Sequence, residues 1–148
     1  MSEATHTIEE LSDRLDIQDL ITAYSYAIDF HRFDDLDDIF TPDATIDFRA
    51  TGGVQGSLPE IKAWLASVLT NFAGHQHLVA TSQVTLDGDS ASARTLCHNP
   101  MYLPEQDGVQ ALIFVGLWYH DTFVRTPAGW RITSRIQEKG YLHGLPQR

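Results

Sequence analysis

Residues 7–30 read TIEELSDRLDIQDLITAYSYAIDF, and this stretch determines how the chain begins to fold. Its apolar side chains recur at helical spacing, with acidic side chains between them, which predicts one long amphipathic helix. The apolar positions are Ile8, Leu11, Leu15, Ile17, Leu20, Ile21, Tyr24 and Ile28. Thr7 and Glu10 have the spacing of a capping box, so we expect the helix to begin just after Thr7.

Two further helices are predicted in the first half of the chain. A short helix is expected over Phe33–Phe40, and Thr41-Pro42-Asp43 should end it. Ser57 and Glu60 form a second capping box, with a proline in the first turn, where its missing N–H has no consequence. This pattern predicts a helix that ends near Asn71.

The second half of the chain has the character of a sheet. Four runs are rich in β-branched and aromatic residues, namely residues 76–86, 90–103, 109–125 and 129–142. Asp87-Gly88-Asp89 is a strong hairpin signal between the first two runs. A short strand is also expected over Ala44–Phe48, followed by a loop over residues 51–56. Helices followed by an antiparallel meander indicate an α+β fold with helices on one face of a curved sheet.

Composition and charge exclude several classes of protein. A chain of 148 residues is expected to form a single domain over residues 1–148. The net charge of −10 argues against nucleic acid and anionic membrane surfaces as partners. No apolar run is long enough for a membrane-spanning helix, and the first residues lack the pattern of a secretory signal. Cys97 is the single cysteine, which is typical of a reducing, cytoplasmic location.

Three motifs carry a resemblance that covers nearly the whole chain: Leu15-Asp-Ile-Gln-Asp-Leu20 with Asp29, Leu36-Asp-Asp-Ile-Phe40-Thr-Pro-Asp43, and Trp118-Tyr119 with Gly129-Trp130-Arg131-Ile132. In these motifs the chain resembles the nuclear transport factor 2-like superfamily, and within it the SnoaL-like branch. The resemblance implies a cone-shaped α+β barrel, in which a curved, mixed or antiparallel sheet wraps around the N-terminal helices. The same fold hosts dehydratases, isomerases, hydrolases, oxygenase subunits and binding proteins, so it does not determine the reaction.

Asp29 and His77 are the leading candidates for catalysis. A histidine titrates near neutral pH and suits a general base, and a carboxylate on one ring nitrogen would fix its tautomer. The chain also resembles scytalone dehydratase and the dehydrochlorinase of hexachlorocyclohexane, whose catalytic Asp and His match Asp29 and His77. The Ser and Asn that bind substrate in scytalone dehydratase match Ile113 and Val115 here, which argues against those two substrates.

Other side chains are weaker candidates. Tyr24 on the inward helix face and His98 on a neighbouring strand are expected to be polar helpers, although a core tyrosine and a strand-end histidine are the commoner cases. The aromatic residues expected to line an apolar pocket are Phe33, Phe40, Trp64, Phe114 and Trp118. Arg94 and Arg135 are expected on the outer face of the sheet.

A metal or cofactor site is not predicted. His75 and His77 stand two residues apart and share a face if they lie in a strand, but a metal needs at least a third ligand and the resemblance suggests none. The glycines show no phosphate-binding pattern.

The function expected from these residues is that of a cofactor-independent lyase or isomerase, which removes a proton from a small, hydrophobic, cyclic or aromatic molecule. A non-catalytic protein that binds a hydrophobic ligand and a small assembly subunit of a ring-hydroxylating oxygenase remain alternatives, as does a hydrolase that activates water through Asp29. A homodimer or homotrimer is expected, because the long strands should leave one sheet face in need of cover.

Overall fold

The structure, a computed structural model, describes residues 5–145. Its helices are α1 (Ile8–Asp29) and α2 (Leu58–Val68), with short 3₁₀ helices at Phe33–Asp38, Arg49–Thr51 and Leu69–Asn71. Its strands are β1 (Phe40–Asp47), β2 (Gln55–Ser57), β3 (Gly74–His75), β4 (Leu78–Asp87), β5 (Ser90–Tyr102), β6 (Leu112–Thr126) and β7 (Gly129–His143). The predicted helices and the four long strand runs are confirmed.

The strands form one mixed sheet in the order β2-β1-β7-β6-β5-β3, and β4 also pairs with β5. The neighbouring pairs are antiparallel except for β1 and β7, which run parallel. The α+β class and the curved mixed sheet are therefore confirmed. Within residues 5–145 the sheet does not close on itself, so the expected barrel is open.

The first helix follows its capping signal but not the whole of its apolar stripe. The Thr7 hydroxyl accepts from the Glu10 N–H at 3.1 Å, and the Thr7 N–H donates to the Glu10 carboxylate at 2.7 Å. Ile8 and Leu15 belong to the apolar stripe but are 88% and 65% exposed, so the stripe is not buried along its whole length. The inward position in this half of the helix is taken by Asp13, whose carboxylate binds Arg125 and Trp130. No described helix combines the length and apolar character needed to cross a membrane.

The first strand begins earlier than the sequence suggests. Phe40 and Pro42 were expected to end a helix, but both lie in β1. The pairing of β1 with β7 is irregular between Phe40 and Thr45, and an irregular stretch of a strand tolerates the N–H that proline lacks. The predicted loop at residues 51–56 also contributes its last two residues to β2.

A one-residue bulge in β7 decides which side chains face the interior. Thr122 of β6 pairs with Ser134, whereas the next residue, Phe123, pairs with Ile132, so Thr133 has no partner. Side chains on a strand alternate between its two faces, and one extra residue reverses the alternation. Ile132 before the bulge and Arg135 after it are both fully buried.

Candidate functional site

The site lies where the end of α1 meets the junction between β3 and β4. Asp29 is the last residue of α1, and His77 lies between the two strands. His77 Nδ1 is 2.7 Å from Asp29 Oδ1, and the His77 backbone N–H donates to Asp29 Oδ2 at 2.8 Å. The structure thus brings together the two residues that the sequence singled out.

His75 is a second imidazole on the same carboxylate. Its Nδ1 is 3.1 Å from Asp29 Oδ1, and its side chain is only 4% exposed. Burial favours the neutral form of Asp29, but the His75 and His77 rings and the His77 backbone N–H outweigh that effect and hold the pKa of this carboxyl well below its usual range. Asp29 is therefore an anion at neutral pH.

An inner cavity of about 190 Å³ opens beside His77, between the helices and the concave face of the sheet. Most of its lining is apolar, including Trp64, Phe72 and Val115. The polar residues of the lining are Tyr24, Thr51, His77, Asn99 and Gln137. A mostly apolar cavity with a few polar groups is typical of a small-molecule site.

His77 connects this cavity to the carboxylate. Its Nδ1 faces Asp29, and its Nε2 lies 3.4 Å from the amide nitrogen of Asn99, a residue of the cavity wall. Because Asp29 accepts at Nδ1, the neutral ring carries its proton there and presents a lone pair at Nε2. Asn99 Oδ1 is buried and has no partner among the described residues, so a rotated amide could accept from Nε2 once it is protonated.

Tyr24 sits in the cavity wall next to His77, with the two rings at 90° and 6.3 Å between centroids. Burial raises the pKa of Tyr24 to about 12, although the nearby Arg135 opposes that rise. The hydroxyl is therefore neutral at physiological pH and can donate a hydrogen bond to a ligand.

Arg135 lies behind the cavity and contradicts its expected place on the outer face. Its guanidinium makes two 2.7 Å hydrogen bonds to Asp121 and lies 4.1 Å from the ring centroids of both Tyr24 and Tyr119. The bulge at Thr133 is the cause of this inward placement. Burial alone would lower the pKa of Arg135, but Asp121 outweighs it and raises that pKa, so the guanidinium stays charged.

Of the five aromatic residues expected in the pocket, the structure places Trp64 in the cavity lining. Phe40 packs in the core against Tyr24, and Phe33 stacks on His31. The expectation for these two was wrong because neither lines the cavity.

Phe114, Trp118 and His98 do not lie at the inner cavity. In β6 the buried side chains are the odd-numbered ones from Ile113 to Tyr119, so Phe114 and Trp118 point to the other face. Phe114 there lines an outer groove together with Asp29 and His77. His98 shares that face: it stacks on Phe114 and its Nδ1 is 2.8 Å from the Tyr141 hydroxyl. Arg94, expected on the outer face, lies over Trp118 and pairs with Glu138.

Sequence reasoning missed Asn99 and Gln137 in the cavity wall. The alternation of small buried residues through Ala93, Thr95 and Cys97 in β5 continues to Asn99, so the period of two could have identified it. Gln137 could not be found in this way, because it lies beyond the bulge in β7.

An outer groove of about 670 Å³ lies on the other side of Asp29. Asp29, His75 and His77 line it together with exposed aromatic residues such as Phe30. At this groove His75 Nε2 is 2.9 Å from Nε2 of His31. The hydrogen-bonded residues therefore run from His31, through His75 and Asp29, to His77 at the inner cavity.

Asp29, His75 and His77 bring three potential metal ligand atoms within 4.8 Å of one another. Asp29 supplies the third ligand that the sequence did not reveal, so in number and chemistry the set suits a transition metal. The same ring nitrogens are at hydrogen-bond distance from Asp29 Oδ1, and one proton on each satisfies all three groups.

Comparison with known proteins gives one family and several relatives. The model of the SnoaL-like domain matches residues 9–136. An uncharacterised protein of Mycobacterium tuberculosis is 53% identical over 133 residues, which cover 90% of this chain and 89% of the relative.

Solved structures share the fold. A proposed aromatic ring hydroxylase from Novosphingobium aromaticivorans is 29% identical with a TM-score of 0.78, over 90% of this chain and 94% of that one. A proposed scytalone dehydratase from the same species is 18% identical with a TM-score of 0.79, over 93% and 91% of the two chains. A hexachlorocyclohexane dehydrochlorinase is 18% identical with a TM-score of 0.81, over 95% and 94%.

Proposed function

Because this chain belongs to the SnoaL-like domain family, we propose that it is a proton-transfer enzyme, a lyase or isomerase, in which His77 is the general base and Asp29 orients it. One observation carries the proposal: His77 binds the carboxylate through Nδ1 at 2.7 Å and has its other nitrogen beside Asn99 in the cavity wall. A base held in this way contributes about 10²–10⁴-fold to a rate.

The size of the cavity limits the substrate. A cavity of about 150 Å³ is enough to hold benzene, so 190 Å³ accommodates one six-membered ring with small substituents. The apolar lining favours a neutral, hydrophobic ring, and the polar side chains near His77 suit a carbonyl or hydroxyl group on it. We therefore propose a small cyclic substrate that carries an acidic C–H next to such a group.

The reaction follows from the position of the protons. His77 Nε2 takes the proton from carbon, and Asp29 stabilises the imidazolium that forms. In an elimination the C–H electron pair becomes a C=C bond and expels a hydroxyl group, which takes the proton from Nε2–H and departs as water. In an isomerisation the same proton returns to another carbon. Both routes restore neutral His77, and Tyr24 can donate to the carbonyl or the departing oxygen.

The two rival functions make different demands on the site. A non-catalytic binding protein does not need a histidine held by an anion, and a subunit that serves only assembly does not need an open cavity. The 2.7 Å contact and the cavity of 190 Å³ therefore favour the enzyme. The ring hydroxylase proposed for one solved relative keeps an oxygenase role as the competing hypothesis.

Deuterium exchange tests the proposal without knowledge of the product. Small cyclic ketones and β-hydroxy ketones are incubated with the protein in D₂O, and NMR follows loss of the C–H signal next to the carbonyl. We expect exchange with the natural protein, and loss of it in His77→Gln and Asp29→Asn. His98→Gln is the matched control, because His98 lies on the other sheet face and should not affect exchange.

Three outcomes separate the hypotheses. Exchange that depends on both residues supports the enzyme. Ligand-induced shifts of cavity resonances without exchange would favour the binding protein. Exchange that is equally fast in His77→Gln would refute the assignment of the base.

We also propose that further copies of this chain cover the outer face of the sheet, where Leu96, Ile136 and Tyr141 are exposed. Light scattering coupled to size-exclusion chromatography distinguishes a monomer from the dimer or trimer. Ile136→Glu should shift the equilibrium toward the monomer, whereas an unchanged mass would contradict this interface.

A further inference from the structure

The end of α1 contains two residues that are locally unfavourable. Asp29 places an anion in the last turn, where the helix dipole is also negative. His31, two residues later, has a φ of +55°, a left-handed conformation that is unfavourable for a residue other than glycine. Unfavourable choices that persist side by side point to a function for the side chains involved.

The backbone around His31 explains why a glycine would fit better. The His31 N–H donates to Ile28 at 3.1 Å, and the Arg32 N–H donates to Ala27 at 2.8 Å. These two bonds form a Schellman motif, in which the left-handed position is usually glycine. The helix end itself therefore does not require an imidazole at position 31.

The His31 side chain has a specific partner. Its ring and that of His75 are within 5° of coplanar, and their Nε2 atoms are 2.9 Å apart. Two imidazole nitrogens at this distance share one proton, so one ring donates and the other accepts. Phe33 stacks on the His31 ring, with 5.6 Å between the ring centroids, and helps to hold it.

A proton count assigns the donors. The ionised Asp29 carboxylate can only accept, so neutral His75 and His77 each place their proton on Nδ1. His75 Nε2 is then an acceptor, and the N–H that it receives belongs to His31 Nε2. Each of the three contacts contains one proton, and His77 Nε2 keeps its lone pair.

We propose that His31 and His75 are positioning residues of the Asp29–His77 dyad. His31 fixes the proton of His75 on Nδ1, and His75 then holds the Asp29 carboxylate in the side-chain orientation in which it accepts from His77 Nδ1. In this orientation His77 Nε2 stays unprotonated. The inference rests on the proposed function, because it explains how the base is kept in its active tautomer. The ring nitrogen that carries the proton is set by the hydrogen bond of the other nitrogen.

The ionisation of Asp29 agrees with this role. Burial favours the neutral carboxyl, but the His75 ring, together with the His77 ring and backbone N–H, holds the pKa of Asp29 below its usual range. Without His75, Oδ1 would lose one of its two donors and could turn away from His77. His75 thus stabilises the dyad although its own ring lines the outer groove and is absent from the cavity wall.

Nitrogen-15 NMR of the histidine rings tests the inference in the unliganded protein, since long-range ¹H–¹⁵N spectra distinguish the two tautomers. His31→Gly removes the imidazole and also relieves the left-handed backbone, so this variant should fold with an equal or higher Tm. We expect the ratio of the Nδ1–H to the Nε2–H form of His77 to fall severalfold in His31→Gly and further in His75→Phe.

Two further variants separate positioning from a general structural effect. His75→Asn retains an N–H near the position of Nδ1 and should restore the His77 tautomer that His75→Phe loses. His120→Gln is the matched control, because His120 also pairs with a carboxylate, that of Glu138, but lies on the outer face. Deuterium exchange by the same variants should follow the tautomer ratio.

The outcomes distinguish this inference from the proposed function. If His77 is in the Nδ1–H form both in the natural protein and in the variants, the role of His31 and His75 is overturned while the dyad stands. A natural protein with His77 in the Nε2–H form would overturn the dyad itself. Equal losses in His75→Asn and His75→Phe would assign His75 to structural support alone.

Discussion

Replacement of Asp29 by asparagine tests the central contact in a way that needs no substrate. The carboxylate accepts three hydrogen bonds, from His75 Nδ1 at 3.1 Å, His77 Nδ1 at 2.7 Å and the His77 N–H at 2.8 Å. An asparagine has one acceptor oxygen, and in the place of Oδ1 this oxygen keeps both ring contacts while the NH₂ group faces the His77 N–H. One bond is therefore lost, and the other two are made to a neutral acceptor instead of an anion.

The size of the effect follows from that count. Hydrogen bonds to a charged group contribute about 1.5–3 kcal/mol each, and the lower value applies because the Asp29 side chain is 18% exposed. The lost bond costs about 1.5 kcal/mol, and each of the other two weakens by about 0.5 kcal/mol because a neutral acceptor contributes about 1 kcal/mol, which gives a loss of about 2.5 kcal/mol. At about 2–4 °C per kcal/mol for a chain of this size, Tm should fall by about 5–10 °C at neutral pH.

The pH dependence gives the direction of the effect. The pKa of Asp29 is lowered in the folded state, so its stabilising contribution is fully present above the ordinary aspartate pKa of about 3.9 and is lost as the pH falls through the lower folded value. The difference in unfolding free energy between the natural protein and Asp29→Asn should therefore shrink as the pH is lowered from about 5 toward 2.

Thermal and urea unfolding over this pH range, with Asp16→Asn as the control, provide the measurement. Asp16 lies on the exposed face of α1, so its substitution changes the charge without the contacts. Equal stability of the two variants at neutral pH, or a deficit in Asp29→Asn that does not change with pH, would refute the reasoning. In catalysis, loss of the orienting carboxylate should cost about 10⁴-fold, because the histidine adopts the wrong tautomer.

Three other predictions follow from the cavity, the buried ion pair and the histidine cluster. Val115→Phe should fill the cavity and weaken ligand binding at least tenfold by calorimetry, with Val109→Phe, at a position that is 67% exposed, as the control; undiminished affinity would place the ligand elsewhere. Arg135→Met should destabilise the protein by about 3–5 kcal/mol in urea unfolding, because Asp121 stays buried without its partner. Addition of Asp121→Leu should recover most of that loss. A double variant as unstable as Arg135→Met would show that the pair itself stabilises the core. Dialysis against EDTA should leave deuterium exchange and the His77 tautomer unchanged; loss of both would identify the histidine cluster as a metal centre.

The sequence predicted the features that depend on local spacing. Thr7 and Glu10 are three residues apart on one helix end, and the pairing they predict is the one that forms. The proximity of Asp29 and His77 was predicted through the resemblance, which relates positions 48 residues apart that no local pattern connects.

The features that failed depend on non-local packing. Arg135 was expected outside because it is a charged residue on a strand, and the bulge that turns it inward leaves no signature in apolar spacing. The partners of His31 and His75 could not be inferred, because the left-handed turn that brings them together normally contains glycine. Phe114 and Trp118 were chosen for their aromatic character, whereas the parity of the strand decided their face.

The unpaired Thr133 has a consequence for how this strand tolerates changes in length during evolution. Two residues separate Ile132 from Arg135 where a regular strand needs one, so deletion of Thr133 would leave Ile132, Arg135 and Gln137 on the same face. If all residues stayed and Thr133 were instead paired regularly, Ser134 and Ile136 would replace Arg135 and Gln137 on the concave side. One codon can therefore be lost at this point with the interior unchanged, whereas a shift of register alone would give the same sheet a different interior.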